Sequence, residues 1–299
     1  MITLAGLRYA RVMAVDGGPI ARLVCGEASE LGVRVFSAQA TLRDDLVPSR
    51  KRRQLWSSAD GGGTASSPLL ARIKAVSEAL ERWAHAALHV SPDAARYGFD
   101  VDPSSNGMAA FPGLFARQAR RVALLEAAER FNLLHWWEGR LRAVPREAPW
   151  PGVDAYAIES GAPGVTVILH RRSDRGNHAY GHAAGTDFLC ACLKAAEELE
   201  RHDTVVRLWS LAYAGGMREP ALAEMLSAEQ RSLFFSTDEG HSLFRERVAA
   251  GPAGPAARPK LVFDGVVPGP WSRYADVWRV VFEPPSRRFL SRDPHYFLW

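Results

Sequence analysis

Cysteine is scarce in this chain of 299 residues: Cys25, Cys190 and Cys192 are the only three. They form no metal-ligand spacing, so a disulfide framework and a cysteine zinc site are set aside, and Cys-x-Cys within an apolar stretch reads as packing. Long apolar runs are missing as well. No window approaches the ~20 consecutive apolar residues of a membrane-spanning helix. In the opening "MITLAGLRYARVMAVDGG", Arg8 and Arg11 interrupt the apolar residues before an export-type core develops. The expectation is a soluble, cytoplasmic protein with no membrane partner. Charge of one sign is not in excess either, since 37 Lys and Arg stand against 33 Asp and Glu. That balance argues against nucleic acid as a partner. The one basic run, Arg50, Lys51, Arg52 and Arg53, reads as a solvated loop or, failing that, as a contact for phosphate or an acidic peptide. No Gly-x-x-x-x-Gly-Lys-Ser/Thr motif occurs, which excludes ordinary P-loop chemistry.

What is present is an ordinary globular composition, 47% apolar and 23% charged, with ample material for a core. A single domain over 1–299, or two interlocked ones, is expected. Apolar alternation in "PIARLVCG", "VRVFSAQATL", "DAYAIES", "GVTVILH", "KLVFDGVV" and "DVWRVVFE" predicts strands, with helices between them. The fold class is therefore mixed α/β, of the α+β kind. The Pro-, Gly- and Ala-rich stretch from Ala249 to Lys260 is the candidate internal linker.

A diverged internal repeat dominates the chain. Its copies are "GGGTASSPLLARIKAVSEALERW" from Gly61, "NGMAAFPGLFARQARRVALLEAAERF" from Asn106 and "GHAAGTDFLCACLKAAEELERHD" from Gly181. Each runs from a glycine-bearing turn into a helix that carries Glu-x-x-Glu-Arg: Glu78, Glu81, Arg82; then Glu126, Glu129, Arg130; then Glu197, Glu200, Arg201. Residues three or four apart share a helix face, so each pair of glutamates projects side by side. In the first helix Leu70, Ile73, Ala75, Val76, Ala79 and Leu80 supply the apolar surface beside that acidic edge. Any one such helix reads as a solvated, salt-bridged face; three glycine-preceded copies together point to a shared task. Neighbouring carboxylates need a cation, and Mg²⁺ takes hard oxygen ligands while leaving positions for phosphate oxygens. The arginines would clamp phosphate. A metal-dependent hydrolase would use similar carboxylates, so the spacing alone names no nucleotide.

These segments resemble the YcaO family of ATP-dependent peptide-modifying enzymes. The best match is "SNGMAAF" followed by "QARRVALLEAAERFNLLHWWEG", from Ser105 to Gly139, and the specific similarity spans roughly residues 60 to 205. The resemblance implies a YcaO-like fold in which the acidic helices converge on Mg-ATP, with Glu78, Glu81, Glu126 and Glu129 as magnesium ligands and Arg130 as a phosphate contact. Lys74, Arg82, Gln118, Glu197 and Arg201 are the implied supporting members of the nucleotide site, and Glu78, Glu126, Arg130 and Trp299 the implied catalytic set. In the family, a nucleophile adds to a peptide carbonyl, the resulting oxygen is phosphorylated by ATP, and phosphate leaves. Cyclodehydration of Cys, Ser or Thr to an azoline is the implied reaction, with thioamide or amidine formation, or an inactive nucleotide- and peptide-binding scaffold, as the alternatives. The implied partners are a ribosomally made precursor peptide, a separate leader-recognition protein and a second copy of the chain.

The chain departs from the family pattern at definite positions. Gly62 stands where the family has lysine in Gly-Lys-Gly, and Lys74 stands where it has serine, so Lys74 is a candidate replacement cation. Gln118 stands where the family has a glutamate. The tail "RDPHYFLW" keeps only Pro294 of a proline-rich end, with Trp299 as its aromatic terminus. Trp136 and Trp137 read as packing, and Gly61 to Gly63 as a flexible turn or a phosphate cradle. None of the nine histidines, His85 and His89 included, is given a role.

Overall fold

The structure is a computed structural model; it describes residues 5–47, 55, 59–113, 116–214, 225–253 and 257–299. The basic run from Arg50 to Arg53 lies outside the described residues, as does part of the candidate linker. Among the described residues no helix is long and apolar enough to cross a membrane. The chain divides into two compact units, the first made of Met1–Arg52, Ser58–Ala127 and Lys260–Glu283, the second of Arg53–Ser57, Ala128–Pro259 and Pro284–Trp299.

The first unit opens with the short helix α1 (Ala5–Arg8) and the long antiparallel hairpin of β1 (Ile20–Glu30) and β2 (Val33–Leu42). Leu31 and Gly32 turn the hairpin at φ of 45° and 83°, the pair of left-handed residues that a tight two-residue turn demands. β3 (Gly61–Ala65) adds to β2, giving the order β1-β2-β3. The helix α2 (Pro68–Leu88) then starts at Ser67, whose hydroxyl accepts the Leu70 N–H, with proline in the first turn. A second sheet of order β4-β10-β9 is formed by β4 (Met108–Phe111), β9 (Leu261–Val266) and β10 (Asp276–Phe282). The helix α3 (Arg117–Trp137) gives its residues through Ala127 to this unit.

The second unit holds a four-stranded antiparallel meander, β5 (Arg142–Arg146), β6 (Asp154–Glu159), β7 (Val165–Arg172) and β8 (His178–Gly185). With it stand α4 (Phe188–Ala214), α5 (Ser227–Phe235) and α6 (Asp238–Ala249). Its core is aromatic: Trp136 meets Phe244 at 5.7 Å and Phe297 at 5.6 Å between ring centres, so this tryptophan packs, as its sequence context suggested. The buried Arg231 donates to the carbonyls of Phe289, Ser291, Asp293 and Leu298 and thereby fixes the course of the C-terminal segment.

The glycines that open the first and third repeats are not turns, which corrects the sequence expectation. Gly61 and Gly63 lie in β3, and Gly181 and Gly185 lie in β8. A Cβ at Gly61 would sit 2.1 Å from the Ala75 carbonyl oxygen, and one at Gly181 would sit 2.0 Å from that of Ala195. Each strand thus rests its backbone directly on an alanine-lined helix, an approach that only glycine permits. The six strands predicted from alternation are all present, and β3, β4, β5 and β8 add to them. Leu70, expected on the apolar face of α2, is exposed instead, while Ala71, Ala75, Ala79 and Ala84 are fully buried.

Candidate functional site

In the first unit the acidic edge of α2 and the N-terminal part of α3 supply the carboxylates. Glu81 is 8% exposed. Burial pushes its carboxyl well above the usual carboxylate range, the nearby charges of Glu126 and Glu78 push further, and Arg82 opposes them. Arg82 bridges Glu78 at 3.6 Å and donates to the Ser105 hydroxyl at 2.6 Å. Burial works against the Arg82 charge, but Glu78, Glu81 and Glu126 outweigh it and raise its pKa. The Gly62 N–H donates to Glu78 Oε2 at 2.9 Å, so the position where the family has lysine here offers a backbone donor to the first glutamate. Oxygen donors of like charge crowding a buried carboxyl form the donor set that a hard divalent cation such as Mg²⁺ would satisfy.

Two other sequence candidates in this unit lie at its surface. Lys74 Nζ donates to the Thr64 carbonyl at 2.6 Å and is exposed. Gln118, two turns before Glu126 on α3, is exposed, and among the described residues it has no hydrogen bond to the carboxylates.

In the second unit both oxygens of Glu129 are engaged. Oε1 meets His182 Nδ1 at 2.8 Å and Oε2 accepts the Ala184 N–H at 3.0 Å. Burial works against a charge on His182, but Glu129, helped by Glu198, outweighs it and raises the imidazole pKa. The Trp299 ring lies 6.0 Å from that of His182 and 5.0 Å from that of His202, half-buried beside Glu129's partner. Arg130 stacks over Phe289 at 5.0 Å.

The third repeat needs a correction in register. Gly61 meets Ala75 and Ala79, and Gly181 meets Ala195 and Leu199. Lys74 reaches the Thr64 carbonyl and Lys194 the Ala184 carbonyl. Ser67 caps α2 at Leu70, and Asp187 accepts the Cys190 N–H at the start of α4. All these correspondences hold at one offset of 120 residues. At that offset Glu198, not Glu197, matches Glu78, while Arg201 stands where Glu81 stands and His202 where Arg82 stands. Arg201 pairs with Glu198 at 2.9 Å, an exposed pair of little energetic weight, and Glu200 and Asp203 are held by Arg171 at 2.7 and 2.9 Å. Glu197 is half-buried one position away.

Sequence reasoning missed several residues that shape these groups. Arg279 on β10 is fully buried, donates to the carbonyls of Tyr97, Asp102 and Ser104, and lies 3.8 Å over the Phe99 ring. It thereby fixes the loop that presents Ser105 to Arg82, and its charge opposes the rise at Glu81. An isolated arginine in an apolar strand, "DVWRVVFE", was the available signal. His182 and Glu198 were also missed, as was a cluster of His170, His178 and His241 in the second unit. His241 is held down to about 4, by burial first and then by His170, His178 and Arg245, so its ring is neutral at neutral pH.

No family model and no curated protein matches the chain. Among solved structures it is similar to YcaO from Methanopyrus kandleri, described as bound with AMPPCP and Mg²⁺; the match covers 98% of this chain and 92% of that one, at a TM-score of 0.51 and 15% identity. A likeness at that identity establishes the fold: the chain has a YcaO-like, mixed α+β fold, as the resemblance of its acidic repeats implied.

Proposed function

We propose that this chain is an ATP- and Mg²⁺-dependent enzyme that phosphorylates a peptide backbone amide oxygen during maturation of a ribosomally made peptide, closing Cys, Ser or Thr to an azoline. The observation that carries the reading is Glu81, a buried carboxyl crowded by Glu78 and Glu126 and opposed by Arg82 and Arg279. A cost of this kind persists in a fold where a bound cation repays it. The AMPPCP and Mg²⁺ in the YcaO structure of the same fold support the choice of nucleotide and ion.

In this reading Glu78, Glu81 and Glu126 of the first unit are the ion ligands. Arg82 orients phosphate oxygens, with Lys74 and Gln118 at the margins; in the second unit Trp299 stands beside His182 where peptide is handled. What Mg²⁺ supplies when bound is neutralisation of phosphate charge during in-line transfer. The Cys, Ser or Thr side chain adds to the amide carbon and closes the ring, its proton going to solvent or a base; the former carbonyl oxygen takes the γ-phosphoryl group with release of ADP; phosphate then leaves as the amide nitrogen gives up its proton and the C=N bond forms. A leader-recognition protein and a second copy of the chain complete the proposed assembly.

One observation favours a second reading, a scaffold that binds nucleotide without turnover: both oxygens of Glu129 are already bonded, to His182 and Ala184. Incubation of the chain with Mg-ATP and a Cys/Ser/Thr-rich peptide separates the two. Peptide-dependent phosphate release with loss of water from the peptide is expected; nucleotide binding with no peptide-dependent release would overturn the enzyme in favour of the scaffold.

A further inference from the structure

The second unit contains a buried group of imidazoles that the proposed nucleotide chemistry does not use. His170 on β7 and His178 on β8 are 5% and 3% exposed, and half-buried His241 comes from the first turn of α6. One ring nitrogen from each of the three lies within 4.8 Å of the others. Three separate elements converge here. Asp154 on β6 is the direct cross-strand partner of His170, and Asp238 lies one helical turn before His241 on the same face of α6.

The hydrogen bonds around the group set its protonation pattern. His170 Nδ1 meets Asp154 Oδ2 at 2.9 Å, and His178 Nε2 meets Asp238 Oδ1 at 3.0 Å. An ionised carboxylate only accepts, so each of these outer nitrogens carries its ring's proton. The inner nitrogens, His170 Nε2 and His178 Nδ1, then confront each other at 2.9 Å, both as bare lone pairs. Two acceptors at that distance require something positive between them, and the available choices are a shared proton and a metal ion. His241 stacks over both rings, at 4.3 Å and 4.0 Å, and Tyr180 Oη engages its Nδ1 at 2.8 Å, which leaves Nε2 for an ion.

We propose that His170, His178 and His241 bind one divalent transition-metal ion of the Zn²⁺ class, with Asp154, Asp238 and Tyr180 orienting the three rings. Neutral imidazole suits zinc and its neighbours and does not suit Mg²⁺, so this site is chemically separate from the proposed carboxylate ligands. A carboxylate behind a ligating histidine is the recurrent outer support of such ions. Nitrogens at about 2.0 Å from a tetrahedral zinc stand roughly 3.3 Å apart. The inner pair therefore opens slightly and His241, the half-buried member, tilts out of its stack to close on the ion. The ion would tie the β6-β7-β8 edge of the meander to the start of α6.

The test uses the full-length, tag-free chain, stripped with chelator and titrated with Zn²⁺ in the presence of excess Mg²⁺ and without nucleotide. Expected results are a single Zn²⁺ per chain by elemental analysis, a rise in thermal midpoint, and an intense visible band when Co²⁺ is used in place of Zn²⁺. His241→Ala should weaken Zn²⁺ binding at least about 100-fold, and Asp238→Asn, a change at an exposed position that leaves the core intact, by roughly 10- to 100-fold. Zn²⁺ affinity that is unchanged in both variants, or no stoichiometric binding by the unaltered chain, would overturn the metal site; in the latter case a shared proton bridges His170 and His178.

Discussion

In the first unit α2 carries Glu81, buried and crowded by Glu78 and Glu126; at the matching place in the second unit α4 carries Arg201, paired with Glu198. The contacts that seat each helix on its neighbouring strand are shared. Gly61 and Gly181 press on Ala75 and Ala195, Lys74 and Lys194 reach back to strand carbonyls, and Ser67 and Asp187 serve the first turn. What differs is the charge that each helix keeps uncompensated. On α4 the carboxylates are ion-paired, Glu198 with Arg201 of the same helix and Glu200 and Asp203 with Arg171 of β7. α2 instead keeps a carboxyl crowded by two others, with Arg82 beside it and Arg279 of β10 as the opposing charges. The duplicated feature is therefore the close strand-on-helix contact, while the demand for a cation belongs to one copy.

The largest expected effect breaks this comparison at the carboxylates. Glu81→Gln and Glu126→Gln should each lower Mg²⁺- and ATP-dependent turnover by at least about 100-fold, the scale of removing one electrostatic stabiliser of a transition state. Arg201→Ala, at the matching place on α4, should change it little. Stability should move the opposite way. A carboxyl whose folded pKa is raised contributes stability below the usual carboxylate range and loses it as pH rises through the raised value. The metal-free chain should therefore weaken from acid towards neutral pH, and Glu81→Gln should remove that slope and add roughly 0.5–2 kcal/mol at neutral pH. Urea titrations across pH, without Mg²⁺, measure it; equal losses of turnover on both helices would dissolve the distinction.

Packing comes next. Gly61→Ala and Gly181→Ala each drive a Cβ to within about 2 Å of a helix carbonyl, a clash with backbone that cannot swing away. Each should cost roughly 3 kcal/mol, and by similar amounts, because the contact is the same in both units. Thermal unfolding checks it, and a tolerated alanine at one site alone would show that the two contacts are not equivalent.

The sequence reveals most where local pattern and burial agree. β2 runs over the very residues that its β-branched alternation marks, Val33–Leu42, because one face of the hairpin is covered and the other is not. β8 escapes that rule: nearly all of His178–Gly185 is buried, and its glycines and alanines imitate a turn. The register of the third repeat was equally illegible. "AAEELERHD" offers Glu197 and Glu198 side by side, and only the contacts of Gly181 and Lys194 with α4 and β8 decide between them. Glu198, His182 and Arg279 gain their meaning from neighbours distant in the chain, and so does the trio of His170, His178 and His241. Glu78, Glu81 and Glu126 stand out in the sequence because a five-residue motif, Glu-x-x-Glu-Arg, repeats on helix faces.

A smaller effect concerns Glu129, the acidic residue that the second unit does compensate. His182 has its pKa raised by Glu129, so their charged pair contributes fully below the ordinary histidine range and is lost as pH rises through the raised value. Stability of the unaltered chain should fall over that interval by no more than about 1.5–3 kcal/mol, the range of a hydrogen bond to a charged group. His182→Gln should flatten the fall while keeping a donor near Glu129, and an unchanged profile would show that the imidazole is neutral there.

The smallest expected effect is also the finest test of the comparison, because it uses two lysines with the same job in the fold. Lys74 donates to the Thr64 carbonyl at 2.6 Å and Lys194 to the Ala184 carbonyl at 3.1 Å. Replacing either by alanine removes one hydrogen bond at a partly or fully exposed site and should cost about 1 kcal/mol or less. The two variants should part only in nucleotide affinity. Lys74 lies one turn before Glu78 on the helix that carries the crowded carboxyl of Glu81, and Lys194 lies on the helix whose Glu198, Glu200 and Asp203 are ion-paired. Lys74→Ala should therefore weaken Mg-ATP binding a few-fold, an effect that fades with added salt as exposed charges are screened, and Lys194→Ala should leave it unchanged. Equal affinities in the two variants would remove Lys74 from the nucleotide site and leave it with the structural role that the matching geometry already assigns to both.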